Sequence, residues 1–442
     1  MIKVVLFFLS LSLLIILHEF GHFITARLFK MRVNKFYLFF DFLFPLANVA
    51  KFSLFKKKVG ATEYGLGWFP FGGYVDIHGM QAEENADPNE VPAPDEFRGK
   101  KPWQRLIVLA GGVTVNYLLA ITIYSMLIWS NGETHLPTKN VKYGVYFDSL
   151  LVAQGFHNGD NIIAIDNVPV DNFDEISGKI LLDAPKSVQV MRNGQKMDVK
   201  MASNFAWTAI AGDLKSLMSE QIPFVVDSVT PDLGAMKAGL KKGDSLVAIN
   251  GDTLSYFQQY QEALAHHKKE TIDLTVSRNG SLQNFKVAIS DDGKMGVFPK
   301  GEDKYLTFST TTFGFFASWG RGFIRTWDKL VSYVRQMKFI FSKAGVKKLG
   351  GFATIGSFFP SDWDWTAFWS LTAFLSVVLA FMNLLPIPAL DGGYILFVLW
   401  EMITGKKVSD KFMNRALTIG MYFILALLIY ANGNDIIRAF SK

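Results

Sequence analysis

The chain has 442 residues, half of them apolar and 40 of them phenylalanine, with a net charge of +6. Such a length allows two or three domains, and the absence of cysteine excludes both a disulfide framework and a thiolate zinc site. No basic cluster is interleaved with aromatic residues, so nothing marks a nucleic-acid surface; the positive charge flanks apolar spans instead.

The apolar run Val4–Leu17 continues through His18–Phe29 with no small-residue cleavage site, which predicts a retained membrane helix over residues 1–30 and not a signal peptide. Phe36–Phe44 and Gly65–Tyr74 are aromatic-rich, strand-like and too short to span. Residues 31–80 therefore read as a re-entrant or interfacial β element or, equally, as a peripheral hairpin. Residues 81–102 form a solvated loop whose first part is acidic and rich in Pro and Asn. A second apolar span covers 103–130. Residues 365–400 make a third, with Pro386 and Pro388 inside it, and 414–432 a short fourth. Lys and Arg are concentrated in the first-to-second and third-to-fourth connections, which puts both in the cytoplasm and the long middle region on the far side.

That middle region repeats itself. Gly155-Phe-His-Asn-Gly159-Asp160-Asn-Ile-Ile-Ala164-Ile165-Asp166-Asn167 matches Gly239-Leu-Lys-Lys-Gly243-Asp244-Ser-Leu-Val-Ala248-Ile249-Asn250-Gly251. Arg192-Asn193-Gly194 and Arg278-Asn279-Gly280 sit between alternating β-branched runs and predict hairpin turns. The strings resemble the PDZ family, which implies two tandem domains, 131–212 and 213–300, with a groove for an extended peptide. Neither copy has that family's Gly-Leu-Gly-Phe loop, so peptide capture and a rigid size filter both stay open. Within 301–364, Phe316, Trp319, Phe323, Trp327, Leu330, Val334 and Phe341 recur at helical spacing opposite most of the Arg and Lys. This predicts an amphipathic helix, lying in the interface or packed on the repeats. The fold class that results is a polytopic α-helical membrane protein of four transmembrane helices, with a membrane-associated β element and two PDZ-like β-rich domains.

The chemistry is carried by His18-Glu19-Phe20-Gly21-His22. Histidines at i and i+4 share a helix face, so both imidazoles can bind one Zn²⁺ while Glu19 contacts the water there and acts as general base. Ionisable groups within an apolar helix are costly, which favours a functional reason for them. A catalytic zinc needs a third protein ligand and an open position. The pattern that would supply a nearby third histidine is broken by Thr25 and Leu28. Asp391 is the only carboxylate between Trp365 and Trp400, and, like His18, it lies towards the cytoplasmic end of its span. It also fits the N-terminus of a helix restarting after Pro388, a role that can coexist with ligation.

His-Glu-x-x-His in the first span, Asn383-Leu-Leu-Pro386-Ile-Pro388-Ala-Leu390-Asp391-Gly392 in the third and the repeats between them together resemble the site-2 protease family of intramembrane zinc metalloproteases, nearest its regulator of sigma-E protease type. The likeness extends over essentially the whole chain. It implies one zinc per chain held by His18, His22 and Asp391, with Glu19 as base. Asn383 would position substrate or stabilise an oxyanion, and Pro386 and Pro388 would shape the site. It further implies a multi-pass inner-membrane protein with periplasmic PDZ domains and a site near the cytoplasmic side. The substrates implied are single-span proteins of anti-sigma factor type, already trimmed, or remnant signal peptides. Gly111-Gly112-Val113-Thr114-Val115-Asn116 resembles the family's Gly-Pro-x-x-Asn segment, departing from it at Val113, and Gly350–Ile355 matches a glycine-rich loop only loosely. A zinc protease cutting at the membrane surface and an inactive membrane-anchored PDZ scaffold are the alternatives. The depth of His18 speaks against the first, and the intact His18, Glu19, His22 and Asp391 against the second.

Overall fold

The computed structural model describes residues 1–42, 50–70, 72–80, 92–212, 216–340 and 342–441. Leu43, Phe44, Phe71, Phe341 and residues 81–91 of the loop expected at 81–102 lie outside them. The chain forms two compact units, one made of Met1–Gly132 with Thr312–Lys442 and the other of Glu133–Thr311.

In the first unit the longer helices are α1 (Ile2–Leu28), α2 (Pro102–Asn131), α3 (Phe315–Ile340), α4 (Trp365–Leu384), α5 (Asp391–Thr404) and α6 (Asp410–Phe440). Four of them, α1, α2, α4 and α6, are long and apolar enough to cross a membrane. Apolar surface drives no association among lipid tails, so these helices meet through small residues and polar bonds. A Cβ on Gly21 of α1 would fall 2.3 Å from the Gly111 carbonyl oxygen of α2, and one on Gly111 would fall 2.5 Å from that of Gly21. The two backbones therefore touch. Ser10 and Thr372 bond at 2.9 Å between α1 and α4, and Ser376 donates to the Asn116 carbonyl at 2.7 Å between α4 and α2. Arg105 of α2 meets Glu401 of α5 at 2.6 Å with both side chains largely buried.

Three elements add detail to the sequence reading. The segment 365–400 is two helices, because Pro386 and Pro388 lack the amide hydrogens a continuous helix needs and Ala389 turns to φ 82°. The last helix runs well beyond 414–432. Its polar end stays helical because Asp435 accepts from the backbone amides of Gly351 and Thr354 and from the Thr354 hydroxyl, while Asn432 accepts from Phe352. The amphipathic helix, α3, lies on α2 through Ser318, Gly322 and Thr326, all buried, and leaves Phe316, Phe323 and Trp327 exposed. A Cβ on Gly322 would strike Ser125 of α2, so the small residues set this contact and not the aromatic stripe.

A four-stranded sheet, β1 (Val33–Leu38), β2 (Ser53–Val59), β3 (Thr62–Gly67) and β4 (Tyr74–Ile77), has the order β2-β3-β1-β4, with β1 and β3 parallel. The lead-in to β4 rests on α1: a Cβ on Gly73 would lie 2.8 Å from Ile15 Cγ2 and 3.4 Å from Glu19 Cγ.

The second unit holds two four-stranded sheets of one topology. β5 (Asn161–Ile165), β6 (Val168–Pro169), β7 (Ser187–Arg192) and β8 (Gln195–Lys200) run in the order β8-β7-β5-β6. β9 (Ser245–Ile249), β10 (Asp252–Thr253), β11 (Thr271–Arg278) and β12 (Ser281–Ala288) run β10-β9-β11-β12, the same arrangement counted from the other edge. Asn193-Gly194 and Asn279-Gly280 take positive φ at the hairpin turns, as a two-residue turn with matching twist requires. Each sheet is pinned by the same ion pair. Arg192 meets Asp160 through two 2.7 Å bonds and caps the Gly155 carbonyl, and Arg278 does the same with Asp244 and Gly239. The boundary between the copies falls after the expected residue 212: Met218–Glu220 pairs with Val145–Phe147, and Leu217, Met218 and Ile222 pack in the first core. Three-residue strands carry too little alternation to be read from sequence.

Candidate metal centre

His18 and His22 are one turn apart on α1, both buried, with ring centroids 4.9 Å apart. They face α2 at Gly112, where a Cβ would fall 2.5 Å from His22 Nε2 and 2.6 Å from His18 Cε1, so only glycine leaves room for both rings. Asp391 reaches the same point from the other end of the chain. It is the first residue of α5, where the helix restarts after the proline break.

The three donor atoms form a nearly equilateral triangle. His18 Nε2 is 3.2 Å and His22 Nε2 3.3 Å from Asp391 Oδ2, and the two nitrogens are 3.3 Å apart. A tetrahedral zinc with bonds near 2.0 Å has ligand atoms about 3.3 Å from one another. The acceptor beside His22 agrees with that fit. His22 Nδ1 lies 2.8 Å from the Val108 carbonyl oxygen, which can only accept, so the neutral form of this ring carries its proton on Nδ1 and offers a lone pair at Nε2. Asp391 Oδ2, although within ion-pair range of both rings, is buried without a hydrogen-bond partner. A buried carboxylate oxygen facing an imidazole lone pair calls for a cation. These residues fit zinc.

Around the triangle stand the other groups picked out from the sequence. Glu19 adjoins His18 on the same turn, partly buried, and the Val75 backbone amide at β4 approaches it as a donor. Asn383, in the last turn of α4, has its amide nitrogen 3.4 Å from His18 Nε2. Sequence reading missed the Val108 carbonyl, the clearance at Gly112 and the contact of Asn116 Nδ2 with His18 Nδ1 at 3.1 Å. The only signal for these was the stretch Gly111–Asn116; a backbone carbonyl has no sequence signature.

The model of peptidase family M50 matches residues 6–427. A Neisseria meningitidis protein named as a zinc metalloprotease is 28% identical over 457 residues, covering 98% of each chain. The regulator of sigma-E protease RseP of Escherichia coli is 27% identical over 461 residues, again 98% of each. A Treponema pallidum protein, also named as a zinc metalloprotease, is 25% identical over 459 residues and 99% of each chain.

Proposed function

This chain belongs to peptidase family M50 and is a zinc-dependent membrane protease, and from that premise we propose that it cuts peptide bonds within the transmembrane segments of single-span proteins. One observation carries the reading: a zinc-sized triangle of His18, His22 and Asp391 lies within apolar helices, beside the carboxylate of Glu19. Zinc bound there supplies a Lewis acid that polarises a peptide carbonyl and makes water more acidic. The residues do the rest. Glu19 takes the proton of the attacking water and returns it to the departing amide nitrogen. Asn383 donates its side-chain N–H to the substrate backbone and holds the bond in register. Burial excludes bulk water and strengthens both interactions. The test is Glu19→Gln in purified protein, which removes the proton carrier and leaves both imidazoles. Cleavage of a helical substrate should vanish with zinc still bound, and substantial residual proteolysis would reject the assignment.

The likeness to regulators of sigma-E protease supports a substrate of anti-sigma factor type, with remnant signal peptides as a second class. The duplicated sheets, read as PDZ domains on the periplasmic side of the inner membrane, would screen substrates by the bulk of their far-side portion. Their shared topology and shared Arg–Asp pin support duplication of one domain. Deleting residues 140–298 should then let untrimmed single-span substrates be cut. An unchanged preference for trimmed substrate in a folded deletion variant would show that selection lies elsewhere.

A further inference from the structure

We propose that Asn116 is a positioning residue: its side-chain Oδ1 accepts the Nδ1 proton of His18 and holds that ring as the tautomer whose Nε2 binds the metal. The inference rests on the reading of His18, His22 and Asp391 as zinc ligands.

Asn116 is fully buried in α2, and Ser376 fixes its backbone through a 2.7 Å bond to the carbonyl. One atom of its amide lies 3.1 Å from His18 Nδ1, and among the described residues no other hydrogen bond reaches that nitrogen. The other amide atom has no partner. Oxygen and nitrogen of an amide exchange by a half-turn, so which one faces the ring is decided by chemistry. With the nitrogen facing it, Nδ1 must accept, the imidazole proton sits on Nε2, and no lone pair is left for a metal. With the oxygen facing it, Nδ1–H donates and Nε2 is free. A neutral imidazole that ligates through Nε2 carries its proton on Nδ1, which requires the second orientation.

The neighbouring ring supports this. His22 Nδ1 is already held as a donor by the Val108 carbonyl at 2.8 Å. Val108, Gly112 and Asn116 are spaced i, i+4 and i+8, one face of α2. Along that face stand an acceptor for His22, a gap into which both rings fit, and an acceptor for His18. A single helix thus orients both imidazoles of its neighbour.

The test compares Asn116→Leu, similar in size with no acceptor, and Asn116→Asp, which can accept and cannot donate when ionised. The readouts are zinc affinity of the full-length purified protein by chelator competition, and the visible spectrum of the cobalt-substituted form. Asn116→Leu should weaken zinc binding roughly 10–100-fold and alter the cobalt spectrum, whereas Asn116→Asp should keep both near wild type. Equal loss in both variants would mean that Asn116 acts as a donor or by packing, and would overturn the proposal. So would wild-type affinity in Asn116→Leu. If the Leu variant fails to fold, Asn116→Asp decides alone, since a donor role predicts loss and an acceptor role retention. His18→Ala serves as the reference. Unchanged zinc affinity there would reject the ligand reading itself, while loss there with retention in Asn116→Leu would reject only the role of Asn116.

Discussion

Adding one carbon at Gly112 should empty the metal site without unfolding the protein. In Gly112→Ala the new Cβ would stand 2.5 Å from His22 Nε2 and 2.6 Å from His18 Cε1, with His18 Nδ1 at 2.8 Å. Ordinary contacts begin about 1 Å farther out, so α1 and α2 must part or the rings must turn by that distance. Metal–ligand distances tolerate only about 0.2 Å. Overpacking of this kind costs about 1–3 kcal/mol, which a protein of this size can survive. Gly178→Ala is the matched control: it is a helical glycine in the second unit whose Cβ would meet nothing within 4 Å, and it should be neutral or slightly stabilising. Zinc per chain by elemental analysis, thermal unfolding and cleavage of a helical substrate are measured on both variants. A Gly112→Ala protein that keeps full zinc and full activity would refute the argument that the fit between α1 and α2 at this glycine sets the site.

Asp391→Asn should lower zinc content and activity together, because an anionic donor leaves a water-poor site; wild-type metal content in that variant would make Asp391 a helix-terminal group only. Asn383→Ala should lower turnover with zinc retained, and loss of zinc would reject a substrate-facing role. Arg105→Met should cost about 3–5 kcal/mol by stranding the buried Glu401, read as a fall in unfolding temperature. The double change Arg105→Met with Glu401→Met should recover most of that loss; no recovery would mean that the arginine acts by another contact, such as the Phe97 ring it lies over.

What could be read in the sequence was what repeats or is out of character. Long apolar runs gave the membrane helices, two histidines and a glutamate inside one of them pointed to the proposed site, and a thirteen-residue string repeated 84 positions later pointed to the two sheets of matching order. What escaped depends on partners far along the chain. Asn432 and Asp435 look like the end of a helix and yet continue one, since the amides they cap are some 80 positions earlier. Arg192 and Arg278 read as turn flanks, whereas each closes a loop by gripping a buried aspartate. The aromatic stripe of α3 predicts an amphipathic helix and does not by itself reveal which residues meet α2. Beside another membrane helix, closeness follows smallness, and Ser318, Gly322 and Thr326 win.

The distribution of the donor atoms along the chain has a consequence for biosynthesis. His18 and His22 enter the membrane with the first helix and Asn116 with the second, but Asp391 is translated roughly 370 residues after His18, about 20–75 s later at usual synthesis rates. Until then the nascent protein presents two imidazoles, a carboxylate and no complete cage. With His18, His22 and Asp391 as the proposed ligands, the protease would be inert while it is being made, and would become competent only when its last third has been inserted and Asp391 at the start of α5 has reached the two histidines. A chain stopped after Gly350 should accordingly insert and fail to retain zinc through a chelator wash; tight retention by that fragment would mean that the histidines alone suffice.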